Sequence, residues 1–405
     1  MKLQILLATS IFLSSLALLF PNGSVAKKPK LNSSTIAQFS ESQLNSAEYY
    51  FNWGKFYYEK GKYNLAIDEL NKAIELSPKH ASTYYGRGLI YFKQGKNNLA
   101  LADYNKTIEL DSNYAHAYYG RGLIYSEQGK NNLALADYNK TIELDSNYAH
   151  AYHNRGVIHY KQGKIRLALS DYDKAIELNL DNAYTYHNRG VIHGEQRNDS
   201  LALIDYSKAI KIDNNFAEAY YNRGVIYGKQ EKNDLAIADF NKVIEIHPNN
   251  YSAYYNRGVI YGKQEKNDLA IADFNKAIEI HPNNYNAYEK RGIIYGKQEK
   301  NDLAIADFNK AIEINPDNYS AYYNRGIYYG KRERDDLAIA DYSKVIEIDP
   351  NYANAYYNRG VLYFVQNKVN LARIDLKKSK RLFLIQGDMT SVERVNDMLD
   401  HLIES

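Results

Sequence analysis

The chain reads as an all-α solenoid of stacked helical hairpins, and two observations predict it. Ten glycines, Gly54, Gly88, Gly122, Gly156, Gly190, Gly224, Gly258, Gly292, Gly326 and Gly360, stand 34 residues apart without a break. Between them apolar residues recur at helical spacing: Tyr220, Gly224 and Tyr227 fall at i, i+4, i+7, and Ala236, Phe240 and Val243 repeat that spacing further on. A fixed period of this length marks supersecondary units that cannot bury an apolar face alone and must stack to do so.

In chain order, residues 1–26 come first: Lys2, an apolar run from Leu3 to Phe20, then Pro21, Gly23 and Ser24-Val25-Ala26. This pattern predicts a secretory signal cut after Ala26 and hence an exported protein, periplasmic or extracellular. The competing reading is an uncleaved membrane anchor over residues 3–20, which just reaches spanning length. Residues 27–46 are polar and without apolar period, a linker expected to be disordered.

Ten units then fill residues 47–386, starting at Ala47, Ala81, Ala115, Ala149, Ala183, Ala217, Tyr251, Tyr285, Tyr319 and Ala353. Within a unit, the polar run Gln230 to Asp234 separates two helical stripes, and His247-Pro248-Asn249-Asn250 stops the second because Pro cannot continue a helix. Gly at unit position 8 and Ala at position 20 let the two helices approach closely, and an aromatic or Leu at position 24 fills the remaining space. After Gly387, Thr390 and Glu393 have capping-box spacing, and Val392, Val395, Leu399 and Leu402 share one face, so residues 387–405 read as a capping helix. Arg394, Asp397, Asp400 and His401 would give it a wet outer side.

Tyr254, Gly258, Tyr261, Ala270, Phe274, Ala277 and Pro282, at unit positions 4, 8, 11, 20, 24, 27 and 32, resemble the signature of the tetratricopeptide repeat family. The resemblance covers all ten units. It implies a right-handed superhelix in which helix A of each unit lines a concave groove, in a family that usually binds proteins or peptides. Family members that clamp a carboxylate need Lys and Arg at groove positions 2, 5 and 6; here Lys290 is the sole Lys or Arg at those places, so that specificity is not implied.

One feature goes beyond the family pattern. Position 7 is Arg in nine units (Arg87, Arg121, Arg155, Arg189, Arg223, Arg257, Arg291, Arg325, Arg359), and position 23 is Asp in the same nine, among them Asp239 and Asp273. Arg223–Asp239 and Arg257–Asp273 therefore read as structural ion pairs between neighbouring helices, with an anion-binding ladder as the alternative.

The resemblance places function in the groove. Position 5 carries Tyr221, Tyr255, Tyr323 and Tyr357, with His153 and His187 earlier in the chain, and position 12 carries Gly228, Gly262, Gly296 and Gly330. Glycine inside a helix costs about 1 kcal/mol relative to Ala, so these invite a geometric use: a widened stretch of groove floored by aliphatics and walled by Tyr. The plainer reading is drift copied by duplication, with each Gly packing against a neighbouring helix. Such a groove suits an extended peptide or an amphipathic helix. A polysaccharide stacked on the rings is the alternative.

His116, His150, His153 and His187, near each other on adjoining units, raise metal binding or a pH switch, but no carboxylate completes a ligand shell, and no metal or other cofactor is expected. The chain has no Cys, no phosphate-binding Gly-rich loop and no His-Glu-x-x-His, so catalysis has no foothold and an enzyme is not expected. A net charge of +3, evenly mixed along the units, argues against nucleic acid. Membrane contact would follow only from an uncleaved first segment. The reading is a non-catalytic interaction scaffold or assembly factor with a protein or peptide partner.

Overall fold

The computed structural model describes residues 46–404, all helical apart from short turns; the expected signal or anchor (1–26) and nearly all of the linker lie outside the described residues. Consecutive helices pack as antiparallel pairs from Ala47–Glu59 with Tyr63–Leu76 to Ala353–Val365 with Val369–Gln386, and Met389–Glu404 follows. This is the all-α solenoid that the period predicts. The pairs fall into two compact units that divide between Ala219 and Tyr220.

Local chemistry fixes each hairpin. Helix A of the seventh to ninth pairs, beginning with Tyr251, Tyr285 and Tyr319, is capped by Asn250, Asn284 and Asn318, whose side chains accept from Ala253 N, Ala287 N and Ala321 N at 3.0, 3.3 and 3.1 Å. The turn to helix B needs a left-handed residue. Gly61, Gly95, Gly129 and Gly163 supply it in the first four pairs, whereas Glu231, Glu265, Glu299 and others take the same φ of roughly +60° later in the chain. Ala at position 20 is fully buried in every pair, and a Cβ on Gly258 would lie 3.0 Å from the Phe274 ring. The two small residues therefore set the inter-helix distance, as expected.

The terminal helix buries Val392, Val395 and Leu402 against Leu382 and Phe383 and exposes Arg394, Asp397, Asp400 and His401. Its start differs from the Thr390–Glu393 box. Gly387 adopts φ +73°, which brings Asp388 into the capping place, where its carboxylate accepts from Ser391 N at 3.0 Å.

Every position-7 Arg forks onto the position-23 Asp of its own pair through Nε and Nη2, at 2.6 to 3.2 Å. The remaining Nη1 reaches back to position 25 of the preceding pair: Arg87 to Asn71, Arg121 to Asn105, Arg189 to Asp173, Arg291 to Asn275, Arg359 to Ser343. Arg257 also lies 5.5 and 5.9 Å from the rings of Tyr254 and Tyr261. Burial pushes the Asp239 carboxyl up, opposed by the Arg223 guanidinium. The pair is thus costly to bury and demands good geometry.

Removing one partner strands the other in a site where Asp273 is 7% exposed. Arg257→Ala should destabilise the chain by about 2 to 4 kcal/mol, and the double change Arg257→Met with Asp273→Leu should recover most of that loss. Urea unfolding of the two variants checks it; equal losses in both would refute the account.

Candidate functional site

Tyr221, Tyr255 and Tyr323 are half-buried, each packed on the position-24 ring of its own pair: Phe240, Phe274 and Tyr342, with centroids 5.9, 6.0 and 5.9 Å apart. Their apolar neighbours at position 9, Val225, Val259, Ile293 and Ile327, are partly buried. Two of the phenol tips are tied to the next pair, since Asn256 Nδ2 donates to Tyr221 at 3.0 Å and Asn358 Nδ2 to Tyr323 at 3.2 Å. Burial pushes the Tyr255 phenol up to about 12 and the other two in the same direction, so all three stay neutral, with polar tips. Sequence reasoning missed the position-6 Asn, although its recurrence as Asn154, Asn256 and Asn358 was there to be read.

The eighth pair breaks this pattern. Glu289 stands in the Tyr place and is 5% exposed, accepting from Asn318 Nδ2 and Ser320 Oγ, both at 3.0 Å, and from Lys290 at 3.1 Å. Tyr357 closes the row under the Arg394 guanidinium of the terminal helix, 4.7 Å above its ring.

Two groups of expected groove residues are placed otherwise. Gly228, Gly262 and Gly296 do not open a floor: a Cβ on them would meet Ile260 at 3.5 Å, Ile294 at 3.1 Å and the Tyr328 ring in direct collision. Gly262 and Gly296 thereby leave room for Ile294 and Tyr328, the buried position-10 side chains of the following helices A, whereas a Cβ on Gly228 would stand in ordinary contact with Ile260. Gly330 alone of the four has nothing within 4 Å of such a Cβ.

The second correction concerns the imidazoles. His153 and His187 are 0% exposed, so neither faces a ligand. His153 Nδ1 bonds Thr185 Oγ1 at 2.9 Å, and His187 packs 4.9 Å from the Phe216 ring. The physical reason is the company they keep: in this part of the chain position 5 is enclosed, and Tyr119 in the same place is only 9% exposed. Burial lowers His153 to about 3 and His187 to about 4. His159, at position 11, instead joins the charge ladder through Asp171 Oδ2 at 2.9 Å. Among the described residues no group of three or more His, Cys, Asp or Glu is placed to hold a metal ion, and no helix is long and apolar enough to cross a membrane.

Repeated helix pairs with one small-residue contact and one row of rings define a class, the helical-hairpin solenoids, and the comparisons narrow it. Family models described as TPR repeat match residues 54–95, 88–129, 122–163, 200–231 and 329–367, and those described as tetratricopeptide repeat match 149–182, 217–250, 251–284, 285–318 and 308–340. The chain belongs to the tetratricopeptide repeat family, whose fold is a protein-interaction scaffold and typically non-catalytic. Among solved structures, YrrB, described as a TPR protein with an unusual peptide-binding site, is 29% identical; the match covers 45% of this chain and 95% of that one, with a TM-score of 0.41. The C-terminal part of a TPR repeat-containing protein from Cytophaga hutchinsonii is 22% identical over 60% and 98% of the two chains, with a TM-score of 0.48. Yeast Tom70 is 16% identical over 87% and 96%, at 0.41. Comparison with curated proteins gives no match.

The glycine geometry predicts opposite signs at equivalent places. Gly330→Ala should stabilise by about 0.5 to 1 kcal/mol, since only backbone entropy changes. Gly296→Ala should cost about 1 to 3 kcal/mol, because Tyr328 is 8% exposed and stacked 5.8 Å from Phe308, leaving its ring little room to yield. Thermal melts of the two single variants decide it.

The depressed imidazoles give a pH signature. Both are neutral when folded, while the unfolded chain protonates them below about pH 6.5, so stability is full above that value and lost as pH falls towards 4. The slope should be about 1.4 kcal/mol per pH unit for each imidazole. His153→Tyr, which restores the residue found at Tyr119, should flatten the fall in urea midpoint between pH 7 and 5; an unchanged fall would show that other groups carry it.

Proposed function

We propose that the chain is an exported interaction scaffold or assembly factor that holds an extended peptide or a partner helix along helix A of its second unit, residues 220–404. The observation that carries this is the row of half-buried phenols at Tyr221, Tyr255 and Tyr323, set among aliphatic neighbours and each packed on the ring of its own helix B. Rigid aromatic area with a neutral hydrogen-bonding tip is what interface anchors are made of, because little side-chain entropy is lost on binding. Membership of a protein-interaction family supports the choice of ligand class. Export rests on the pattern of residues 1–26, with cleavage after Ala26 leaving Lys27 as the new amino terminus.

Peptide and glycan arrays probed with the full chain test the reading. Sequence-dependent peptide hits are expected, and Tyr255→Ala should weaken the best of them by about 1 to 2 kcal/mol without loss of helicity. Hits confined to glycans, or peptide hits indifferent to Tyr255→Ala and Tyr323→Ala, would overturn it.

A further inference from the structure

Helix B of the fifth and tenth pairs, Asp199–Ile212 and Val369–Gln386, departs from the other eight in the same two ways. Position 22 is Ile204 and Ile374, where the others have Ala, Ser or Asp, and position 29 is Lys211 and Arg381, where the others have Glu. In seven of those others the position-29 Glu bridges the Lys at position 26 at 2.6 to 2.9 Å. With a cation in the Glu place, Lys208 and Lys378 lean instead on the rings of Tyr186 and Tyr356. Ile204 and Ile374 are 63% and 64% exposed. These two helices are also the last complete helix B in each compact unit.

The longer helix states the chemistry most clearly. Leu371, Ile374, Lys378, Arg381 and Ile385 fall at i, i+3, i+7, i+10 and i+14, one stripe with apolar ends and a cationic middle. Arg373, Lys377 and Lys380 flank it, and the one acid in the helix, Asp375, is buried and held by Arg359. On Asp199–Ile212 the first four places recur as Leu201, Ile204, Lys208 and Lys211.

We propose that this stripe is a docking face for an acidic amphipathic helix of another protein, with Glu or Asp opposite Lys378 and Arg381 and aliphatic residues opposite Ile374 and Ile385. The charge pattern selects the occupant. The same stripe of a second copy would set cation against cation. The chain's own segment before the first helix carries Lys2, Lys27, Lys28 and Lys30 against a single acid, Glu41, and does not complement the face either. An anionic bilayer sorts side chains by depth, with apolar groups below and cations at the headgroups. Here apolar and cationic residues follow one another along a single stripe of the helix, an order that a helix lying alongside can match residue by residue.

The test is fluorescence anisotropy of the full chain with a synthetic helix bearing Leu at its ends and Glu in its middle, beside the same helix with Lys for Glu. Phosphatidylcholine vesicles containing phosphatidylglycerol are sedimented with the chain in parallel. The Glu helix should bind, the Lys helix should not, and added salt should weaken the complex. Lys378→Glu with Arg381→Glu should lower affinity roughly tenfold or more, as should Ile374→Ser, with unchanged circular dichroism. Tyr255→Ala should leave this binding intact, which separates it from any ligand held on helix A. Equal binding of the two peptides, indifference to the charge reversal, or vesicle binding that the reversal abolishes while the Glu helix is ignored would each overturn the proposal.

Discussion

The structure depends on a guanidinium that is read from three sides. Nε and Nη2 of each position-7 Arg grip the Asp of its own helix B, and Nη1, where it reaches the preceding pair, grips an Asn, Asp or Ser there. One side chain therefore fixes the hairpin and the stacking register together. The net stability gained is small, because burial raises the Asp239 carboxyl and the desolvation cost offsets much of the attraction. What the fork supplies is geometry: a planar group with donors at fixed angles accepts one arrangement of its neighbours. It also explains why nine guanidiniums in a row do not make an anion-binding surface, since each meets a carboxylate within its own pair.

Much of this was legible because it lies within one column of the repeat. Gly258 beside Phe274, Ala270 at zero exposure and the Arg257–Asp273 fork all join positions of a single unit, and ten copies show which residue types travel together. The misses lie on diagonals between units. The side chain that fills the space beside Gly262 is Ile294, from the next helix A, and aligning units column by column never sets those two residues side by side. Burial also changes along a column: position 5 is enclosed at Tyr119 and His153 yet half-open at Tyr255. Periodicity gives the direction in which a side chain leaves its helix, and the neighbours that bury it come from elsewhere.

Departures from the repeat show what the stack tolerates. The left-handed turn before helix B is made by Gly in the first four pairs and by Glu in the sixth to ninth, at nearly the same φ. A charged residue there carries strain that Gly would avoid, and it persists because the helices on either side already fix where the chain must turn. Glu289 is a larger departure, a carboxylate in a place built for a phenol, and Asn318, Ser320 and Lys290 satisfy it. The backbone is set by the collective packing, which leaves individual faces free to differ, and the outward faces of the fifth and tenth helix B use that freedom.

The terminal helix solves a problem that every finite stack shares. In several of the pairs before it, the position-5 ring finds a polar partner on the following pair, as Tyr221 does in Asn256 and Tyr323 in Asn358. Tyr357 has no following pair. Arg394 takes that role from the capping helix by lying over the ring, while Val392, Val395 and Leu402 cover the flank of Leu382 and Phe383. A cap that only hid apolar surface would leave the last ring without a polar neighbour, and one that only supplied a cation would leave the flank wet. Both demands are met on one amphipathic helix, so the row of rings ends at a guanidinium. The row therefore carries a positive charge at its C-terminal end, after neutral phenols and the Glu289 carboxylate.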